Sequence, residues 1–391
     1  MKRRFFLLVA ALVPVICPVE GRSRLRIDDR LPAGNVVVDK VSADTVYLRP
    51  DLRDTGRDWF YWAFRVRGAQ GRTVVFKFNG KWVGARGPVV STGRGKSFRY
   101  SGGEASDAFT YTFGPRERAV YFYECHPYLP RDWKRFLRGL DRRTFRAGEL
   151  CRSRSGKKVP FATFGRLDGQ ARHRVVITAR HHCSESIANF VLEGIVSVFA
   201  GDSEAGKWLR ENVGLSVVPF VDYDGVVAGD QGKARLPHDH NRDYKEFLYP
   251  ETRAVADLCT DRQPEIFLDL HCPWISGPNA ELVYCPMGNP ATEPDWAAET
   301  LFTEIVSKNA RGLPYSAGNN LPFGVRWNTG KNLDGGLSSR RWAVLNLSGI
   351  RICRCFETPF ANAQGVEVNP VSAREFGESI AESIVDFLKE K

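Results

Sequence analysis

Three short apolar runs in the second half of the chain each end in ionisable side chains. These are His182 and Glu185 after residues 174–179, His271 after residues 266–270, and Glu357 after residues 350–356. The carboxyl ends of strands in an α/β sheet meet at one crevice, so we expect these side chains to lie close together. The pattern therefore constrains this half of the chain to a sheet with a polar site at its edge.

The residue types in this set are those of a catalytic zinc site. Zinc takes three protein ligands in such a site and keeps a fourth position for water. His182, Glu185 and His271 make a His2Glu set. A nearby carboxylate must accept a proton from the water, and Glu357 is the natural candidate. Because a His-x-x-Glu pair alone arises often by chance, the prediction of one Zn2+ per chain depends on the joint pattern.

The spacing of apolar residues changes along the chain and indicates two kinds of domain. Residues 22 to about 130 contain short alternating runs, such as 73–78, separated by Gly and Asn. That pattern is typical of an all-β sandwich. After Glu185 the apolar residues fall at helical spacing, and helices also fit residues 297–307 and 375–389. Strands alternating with helices predict an α/β fold for the second part.

Together these motifs resemble those of the zinc carboxypeptidase family (funnelin-type metallocarboxypeptidases). The resemblance covers roughly residues 160 to 391 and has the family's order. In that family, a His-x-x-Glu pair and a distant His bind zinc, and a Glu near the end of the domain is the general base. The resemblance implies these roles for the four residues above and release of the C-terminal amino acid from peptides or proteins.

A second part of the resemblance concerns substrate binding. Residues 237–244 are similar to the family's Asp-x-Asn-Arg motif, which implies that Asn241 and Arg242 bind the terminal carboxylate of the substrate. Residues 220–226 resemble its Asn-Pro-Asp-Gly-Val segment. Arg235 is where the family keeps an arginine that polarises the scissile carbonyl, and this implies a catalytic role for it.

The first part of the chain resembles one branch of the family. Residues 59–68 and 120–128 look like the β-sandwich domain that precedes the catalytic domain in cytosolic carboxypeptidases, which often remove glutamate from protein tails. The expected organisation is a signal peptide at 1–21, an all-β sandwich at 22–145 and, at 150–391, an α/β catalytic domain with a mixed sheet flanked by helices.

One departure from the family concerns its mobile tyrosine upstream of the base. Here no tyrosine follows Tyr315. In the deglutamylase-like branch a basic residue in this region meets an acidic side chain, and Arg340 or Arg341 is in the matching stretch. This predicts a preference for C-terminal Glu or Asp, whereas simple surface exposure of both arginines is an equal alternative.

Residues 1–21 have the composition of a secretory signal peptide. A basic start is followed by the apolar run 5–16, which is too short to span a bilayer. We therefore expect export, periplasmic or secreted, without a lipid anchor on Cys17 and without a transmembrane segment. A buried first helix is the alternative. The eight cysteines after this segment permit disulfides in an exported protein.

The formal net charge is +11, and its densest basic stretch, residues 131–158, is interpreted as a solvated helix and linker, with attraction of acidic substrates as the alternative. No nucleic-acid-binding module is recognisable. We therefore expect peptide or protein C-termini as partners and no nucleic acid, and the sequence leaves the oligomeric state open. Two other functions stay open as well. One is a zinc deacylase or amidase of aspartoacylase type that acts on N-acyl amino acids, against which the sandwich domain argues. The other is a non-catalytic pseudo-enzyme that binds peptides, against which the complete set of ligands and base argues.

Overall fold

The computed structural model describes residues 24–92, 97–290, 296–333 and 335–390, and the segment 1–21 lies outside them. The first nine strands are β1 (Arg26–Asp28), β2 (Val37–Ser42), β3 (Thr45–Arg49), β4 (Ala63–Arg67), β5 (Thr73–Phe78), β6 (Val89–Ser91), β7 (Arg99–Tyr100), β8 (Ala108–Thr112) and β9 (Ala119–Tyr123). They form two sheets in the orders β1-β4-β9-β6-β7 and β2-β3-β5-β8.

The two sheets of the first part share one apolar core. In β5, Val74, Phe76 and Phe78 are buried, whereas Thr73 before them and Lys77 among them are exposed, as the alternation of a half-buried strand requires. Aromatic rings of both sheets pack in this core at centroid distances near those preferred by aromatic pairs. The prediction of an all-β sandwich before the catalytic domain is thus confirmed.

The second part contains the remaining helices and strands. They are α1 (Pro130–Gly139), β10 (Phe145–Arg152), β11 (Lys158–Gly165), β12 (His173–Ala179), α2 (Ile187–Ala200), α3 (Glu204–Asn212), β13 (Val213–Val218), α4 (Tyr223–Ala228), α5 (Pro250–Arg262), β14 (Ile266–His271), α6 (Trp296–Asn309), α7 (Ser339–Asn346), β15 (Ile352–Glu357), β16 (Asn362–Ala363), β17 (Val366–Glu367) and α8 (Pro370–Lys389).

A six-stranded mixed sheet with the order β10-β11-β13-β12-β14-β15 organises this part. Strands β12, β13, β14 and β15 are parallel to one another, and β11 runs antiparallel to both of its neighbours, β10 and β13. The chain leaves β12 toward β13 on one side and later places β14 on the other side of β12. The carboxyl ends of β12 and β14 therefore flank a point where the connections diverge, which is where α/β sheets bind ligands. The predicted mixed α/β fold is confirmed.

Helices cover the sheet and fix its position against the rest of the domain. Helix α2 packs closely on α8, because Gly194 and Gly377 let the backbones approach: a Cβ at either glycine would lie 2.0 Å from a carbonyl oxygen of the facing helix. Helix α8 begins earlier than its apolar periodicity predicted. The Asn369 side chain caps it by accepting from the backbone N–H groups of Val371 and Ser372.

Candidate metal centre

The turn between β12 and α2 carries the first two candidate metal ligands. A backbone hydrogen bond of 3.2 Å from the N–H of Glu185 to the carbonyl of His182 closes this turn. It brings the two side chains together, and the Nδ1 atom of His182 lies 2.6 Å from Oε1 of Glu185. Both residues are buried. The His-x-x-Glu pair is therefore on a strand-to-helix turn, as its position after an apolar run predicted.

The third candidate ligand, His271, is the last residue of β14. Its Nδ1 atom lies 2.7 Å from Oε2 of Glu185, so that one carboxylate contacts both imidazoles. The ligand atoms of His182, Glu185 and His271 all lie within 4.8 Å of one another. Burial by itself would raise the pKa of Glu185, but the two imidazoles outweigh it and lower that pKa to about 2. This anionic His2Glu donor set fits a divalent cation.

Each of the two imidazole rings contacts one further carboxylate through its Nε2 atom. The Nε2 atom of His182 lies 3.3 Å from Asp239 Oδ1, and that of His271 lies 2.8 Å from Asp269 Oδ2. An N–H donated at Nε2 leaves the Nδ1 lone pair for a metal, which is the usual arrangement around ligating histidines. Burial opposes ionisation of both aspartates, but Lys233 beside Asp239 and the imidazoles beside Asp269 keep the pKa values of the two carboxyls well below the usual range.

His181 lies beside this cluster and forms a second candidate group with Asp269 and His271. Its Nδ1 is 2.8 Å from Asp269 Oδ1, and its Nε2 is 2.7 Å from the hydroxyl of Tyr244. Both ring nitrogens are therefore occupied by hydrogen bonds. We interpret His181 as a residue that orients Asp269, and the His182, Glu185 and His271 set as the metal site.

Glu357 ends β15 and is paired in register with His271 on the neighbouring strand. It is buried, and its Oε2 atom has no hydrogen-bond partner among the described residues. Burial raises the pKa of Glu357 to about 7, and the charge of Glu185 adds to this effect while His271 opposes it. A carboxylate with a pKa near neutrality is well suited to accept and return a proton.

These four side chains lie at a cavity of about 780 Å³ that both parts of the protein line. The sandwich contributes Arg57, Asp58 and Trp59. The α/β part contributes the turn after β12, the ends of β14 and β15, the loop before α5, and helix α7. The site thus depends on both domains.

Arg242 lines this cavity from a 3-10 turn (His240–Arg242). Its Nε donates to the carbonyl of Asn332 at 2.9 Å and its Nη1 to the carbonyl of Asn241 at 2.6 Å. Its Nη2 has no protein partner in the described part of the chain. A guanidinium held in this way has a fixed orientation and one free edge for an anion.

Asn241 also lines the cavity, and its amide is oriented by Ser339. The Ser339 backbone N–H donates to Asn241 Oδ1 at 3.0 Å, which leaves Nδ2 3.1 Å from Nε2 of His271. That ring nitrogen donates its proton to Asp269 and so cannot accept one from Asn241. The Asn241 amide N–H is therefore available to a substrate oxygen.

Arg235 and Lys233 are on the same loop but have different surroundings. The Nε atom of Arg235 lies 3.0 Å from Asp222 Oδ2, and its Nη2 lies 2.7 Å from Asp230 Oδ2. Arg235, although within the described part of the chain, is not among the residues that line the cavity. Lys233 does line it, and its Nζ is 3.4 Å from Nε2 of His182. The structure therefore does not bring Arg235 to the position implied by the family resemblance.

Arg340 and Arg341 are both on α7 and both line the cavity. The guanidinium of Arg340 is held by the protein, because its Nε donates to the carbonyl of Cys353 at 2.6 Å and its Nη2 lies 3.3 Å from Glu299 Oε2. Arg341 is exposed. Arg341 is therefore the better placed of the two to meet a charged ligand.

The sequence analysis assigned no role to three residues of this centre: Lys233, Asp239 and Asp269. Asp239 is the first residue of the Asp-x-Asn-Arg motif, so the motif itself was a signal for it. Asp269 precedes His271 by two residues in β14, and residues two apart point to the same face of a strand. Lys233 had no such signal.

Comparison with known proteins finds carboxypeptidases that are similar to this chain in sequence and in fold. Cytosolic carboxypeptidase 2 of Xenopus tropicalis is 29% identical over 221 residues, which cover 52% of this chain and 22% of the relative. Cytosolic carboxypeptidase 6 of Caenorhabditis elegans is 24% identical over 290 residues, which cover 65% of this chain and 63% of the relative. This chain thus spans less than two thirds of the length of these curated relatives. No family model matches the chain.

Solved structures agree in fold over almost the whole chain. A metallo-carboxypeptidase from Burkholderia cenocepacia superposes with a TM-score of 0.77 at 21% identity, covering 93% of this chain and 99% of that one. A metallo-carboxypeptidase from Pseudomonas aeruginosa, in complex with (2-guanidinoethylmercapto)succinic acid, gives 0.74 at 19% identity, covering 93% of this chain and 100% of that one.

The fold is therefore that of metallo-carboxypeptidases. The sequence relatives are carboxypeptidases as well, which confirms the resemblance to the zinc carboxypeptidase family predicted from the motifs.

The prediction of export is wrong. The curated relatives are cytosolic carboxypeptidases, which points to an intracellular location. The apolar run on which the prediction depended lies outside the described residues. All eight cysteines in the described part of the chain are free. Separately, none of the helices among the described residues is long and apolar enough to cross a membrane.

Proposed function

We propose that this protein is a zinc-dependent carboxypeptidase that removes one amino acid from the C-terminus of a peptide or protein, with a preference for Glu or Asp. The observation that carries the proposal is the meeting of His182, Glu185 and His271 with an unpartnered Glu357 at one cavity. The names of the relatives support it, because each is called a carboxypeptidase.

The proposed mechanism divides the work among four side chains. The imidazoles of His182 and His271 and the carboxylate of Glu185 would hold the zinc, which when bound would supply a Lewis acid that makes water nucleophilic near neutral pH. Glu357 takes a proton from the attacking water and delivers it to the nitrogen of the leaving amino acid. Arg242 and Asn241 hold the terminal carboxylate, and this requires a free C-terminus. One water is consumed, and the peptide C–N bond is replaced by an acid and an amine.

The charges around the cavity support the preference for acidic ends. Its basic lining residues are Arg57, Lys233, Arg242, Arg326, Arg340 and Arg341, and its acidic ones are Asp58, Glu185, Asp269 and Glu357. Glu185 is committed to the metal ligands and Asp269 to histidine. The lining charge that remains available to a substrate side chain is therefore positive. We assign the contact with an acidic substrate side chain to the exposed Arg341.

The test is amino-acid release from peptides that differ only in the last residue: Glu, Asp, Gln, Leu and Lys, with a C-terminal amide as the blocked control. We expect release that a chelator abolishes and zinc restores, that is faster for Glu and Asp than for Gln, and that is absent for the amide. Replacement Arg341→Gln should reduce the advantage of Glu over Gln several-fold, whereas Arg351→Gln, on the surface away from the cavity, should not.

Several outcomes would contradict the proposal. Equal release from the amidated peptide would exclude Arg242 and Asn241 as a carboxylate clamp. Equal rates for all ends would leave the carboxypeptidase but remove the acidic preference. No release from any peptide, together with cleavage of N-acyl amino acids by the zinc-loaded protein, would replace the carboxypeptidase with a deacylase.

A further inference from the structure

We infer that Lys233, rather than Arg235, is the catalytic cation that contacts the carbonyl oxygen of the scissile bond. The inference rests on the proposed function and assigns one more group to the same site. It depends on where the loop after α4 places its two basic side chains relative to the metal ligands, and on what each of them already contacts.

The loop is fixed on the metal-ligand turn by a glycine. Gly232 has a φ of +83°, and a Cβ there would lie 2.4 Å from the backbone nitrogen of Cys183. Only glycine therefore allows this backbone to lie against the turn that carries His182. The next residue, Lys233, consequently projects its side chain beside that imidazole.

The sandwich domain holds the same loop from the other side. Both carboxylate oxygens of Asp54 accept backbone N–H groups, from Gln231 and Gly232, at 2.9 Å each. The Gln231 side chain makes two hydrogen bonds of 2.9 Å with the backbone of Tyr61. A loop with these anchors keeps Lys233 in one place, which is what electrostatic stabilisation of a transition state requires.

The ammonium of Lys233 also has donors to spare. Its Nζ is 3.4 Å from Asp239 Oδ2, at the outer limit of a hydrogen bond, and 3.4 Å from His182 Nε2, which carries a proton in this arrangement and cannot accept another. An ammonium has three N–H donors, so a substrate oxygen in the cavity can take at least one at a shorter distance. Arg242, Glu185 and Glu357 are close enough for their charges to interact with Lys233, which locates it within the catalytic cluster.

Arg235 is already neutralised by its neighbours. Two carboxylates, Asp222 and Asp230, bind its guanidinium at 3.0 and 2.7 Å, and a third, Asp54, lies 3.8 Å away. Asp230 also pairs with Arg53, but to reach a carbonyl oxygen Arg235 would have to leave the buried Asp222 without its cation, which is costly. We assign Arg235 to the stability of the loop.

The experiment measures binding to the zinc-loaded protein by calorimetry, with two probes. One is a peptide phosphonate that carries a tetrahedral anion in place of the scissile bond and ends in Glu. The other is free glutamate, which has the terminal carboxylate but no such centre. We compare the wild type with Lys233→Met, Lys233→Arg and Arg235→Met, and use Lys158→Met as the matched control, since Lys158 is exposed and pairs with Glu149.

We expect Lys233→Met to keep one zinc per chain and to lose about 100- to 1000-fold in phosphonate affinity, as loss of one oxyanion donor does, with a change of about threefold or less for glutamate. Lys233→Arg should recover part of the loss. Arg235→Met should lower the thermal midpoint and lose less phosphonate affinity than Lys233→Met. If Lys233→Met does not fold, Lys233→Gln replaces it in the same comparison.

The outcomes separate this inference from the proposed function. A wild type that binds the phosphonate, with Lys233→Met unchanged or Arg235→Met the more damaged, would overturn the assignment to Lys233 alone. Equal losses for phosphonate and glutamate in Lys233→Met would also overturn it, because they would mean a general effect on the site. A wild type that binds neither probe would overturn the proposed function and this inference together.

Discussion

The metal centre and the end of strand β9 both bury glutamate carboxylates, and the two regions leave them in opposite charge states. Glu185 contacts two imidazoles, and its pKa is lowered to about 2. Glu124 follows β9, neither of its oxygens has a hydrogen-bond partner among the described residues, and burial raises its pKa to about 8, which the nearby thiol of Cys125 offsets only in part. Cationic partners, rather than exposure, therefore decide whether a buried carboxylate is charged.

Glu357 lies inside the metal centre but resembles Glu124 in its surroundings. One of its oxygens is unpartnered, and burial raises its pKa to about 7. Under the proposed function, the centre thus contains two carboxylates with different tasks: Glu185 stays ionised as a ligand, and Glu357 exchanges a proton near neutrality. Environments that push two pKa values apart in this way separate such roles in hydrolases.

The substitution Glu357→Gln should have the largest effect, because it tests whether Glu357 exchanges a proton while Glu185 serves as a ligand. The amide keeps the shape of the side chain but cannot accept a proton, so we expect peptide hydrolysis to fall about 100- to 10,000-fold. Zinc content should stay at one per chain, because Glu357 is not a ligand. Hydrolysis rates together with metal analysis of the same preparation check both statements.

Glu304→Gln is the matched control, since Glu304 is exposed on α6. It should hydrolyse peptides at the wild-type rate. If Glu357→Gln kept more than a tenth of the wild-type rate, or lost its zinc, Glu357 would be neither the base nor independent of the metal.

Glu124→Gln tests the other side of the comparison through the pH dependence of stability. The folded pKa of Glu124, about 8, is raised above its usual value of 4.5. The contribution of Glu124 to the free energy of unfolding is therefore fully present below about pH 4.5 and is lost as the pH rises through about 8. In the wild type we expect this residue to remove on the order of 2–4 kcal/mol of unfolding free energy between pH 5 and pH 9.

Glu124→Gln has no carboxyl to titrate at this position. Its unfolding free energy, measured by denaturant titration, should therefore fall less between pH 5 and pH 9 than that of the wild type. Glu246→Gln, on an exposed residue, should keep the wild-type slope. The absolute stability of Glu124→Gln is not the test, because a buried amide without partners carries its own cost. Equal slopes in the variant and the wild type would mean that Glu124 is charged when buried.

The sequence could predict those parts of the candidate site whose side chains are positioned by strands. His271 and Glu357 each end a buried strand, and the register of a parallel sheet brings strand ends together whatever the loops do. Lys233 and Arg235 are two residues apart on a loop, and local pattern could not tell which reaches the cavity. That is decided by the φ of Gly232 and by contacts of Gln231 with the sandwich domain, which is far away in sequence.

A smaller effect should follow from the carboxylates behind the histidines. Asp239→Asn and Asp269→Asn keep the shape but remove the charge that receives the ring N–H. We expect each to weaken zinc binding about 10- to 100-fold, the usual cost of losing such a partner. Competition with a chelator of known affinity measures this. If zinc affinity did not change, the charges at Asp239 and Asp269 would not be what orients the histidine ligands. The charged carboxylates of the centre would then have no role that the unpartnered Glu124 lacks.

The smallest expected effect belongs to Ser339→Ala. The Ser339 hydroxyl donates to Asp269 Oδ2 at 2.7 Å and contacts Asn241 Oδ1 at 3.1 Å. Without it Asp269 still has His271, and its other oxygen still accepts from Thr178 at 2.8 Å. A single hydrogen bond of this kind contributes about 1 kcal/mol, so zinc affinity should fall only a few-fold by the same chelator competition. A loss as large as that of Asp269→Asn would show that the hydroxyl, rather than the neighbouring imidazoles, keeps Asp269 in its charged, orienting position.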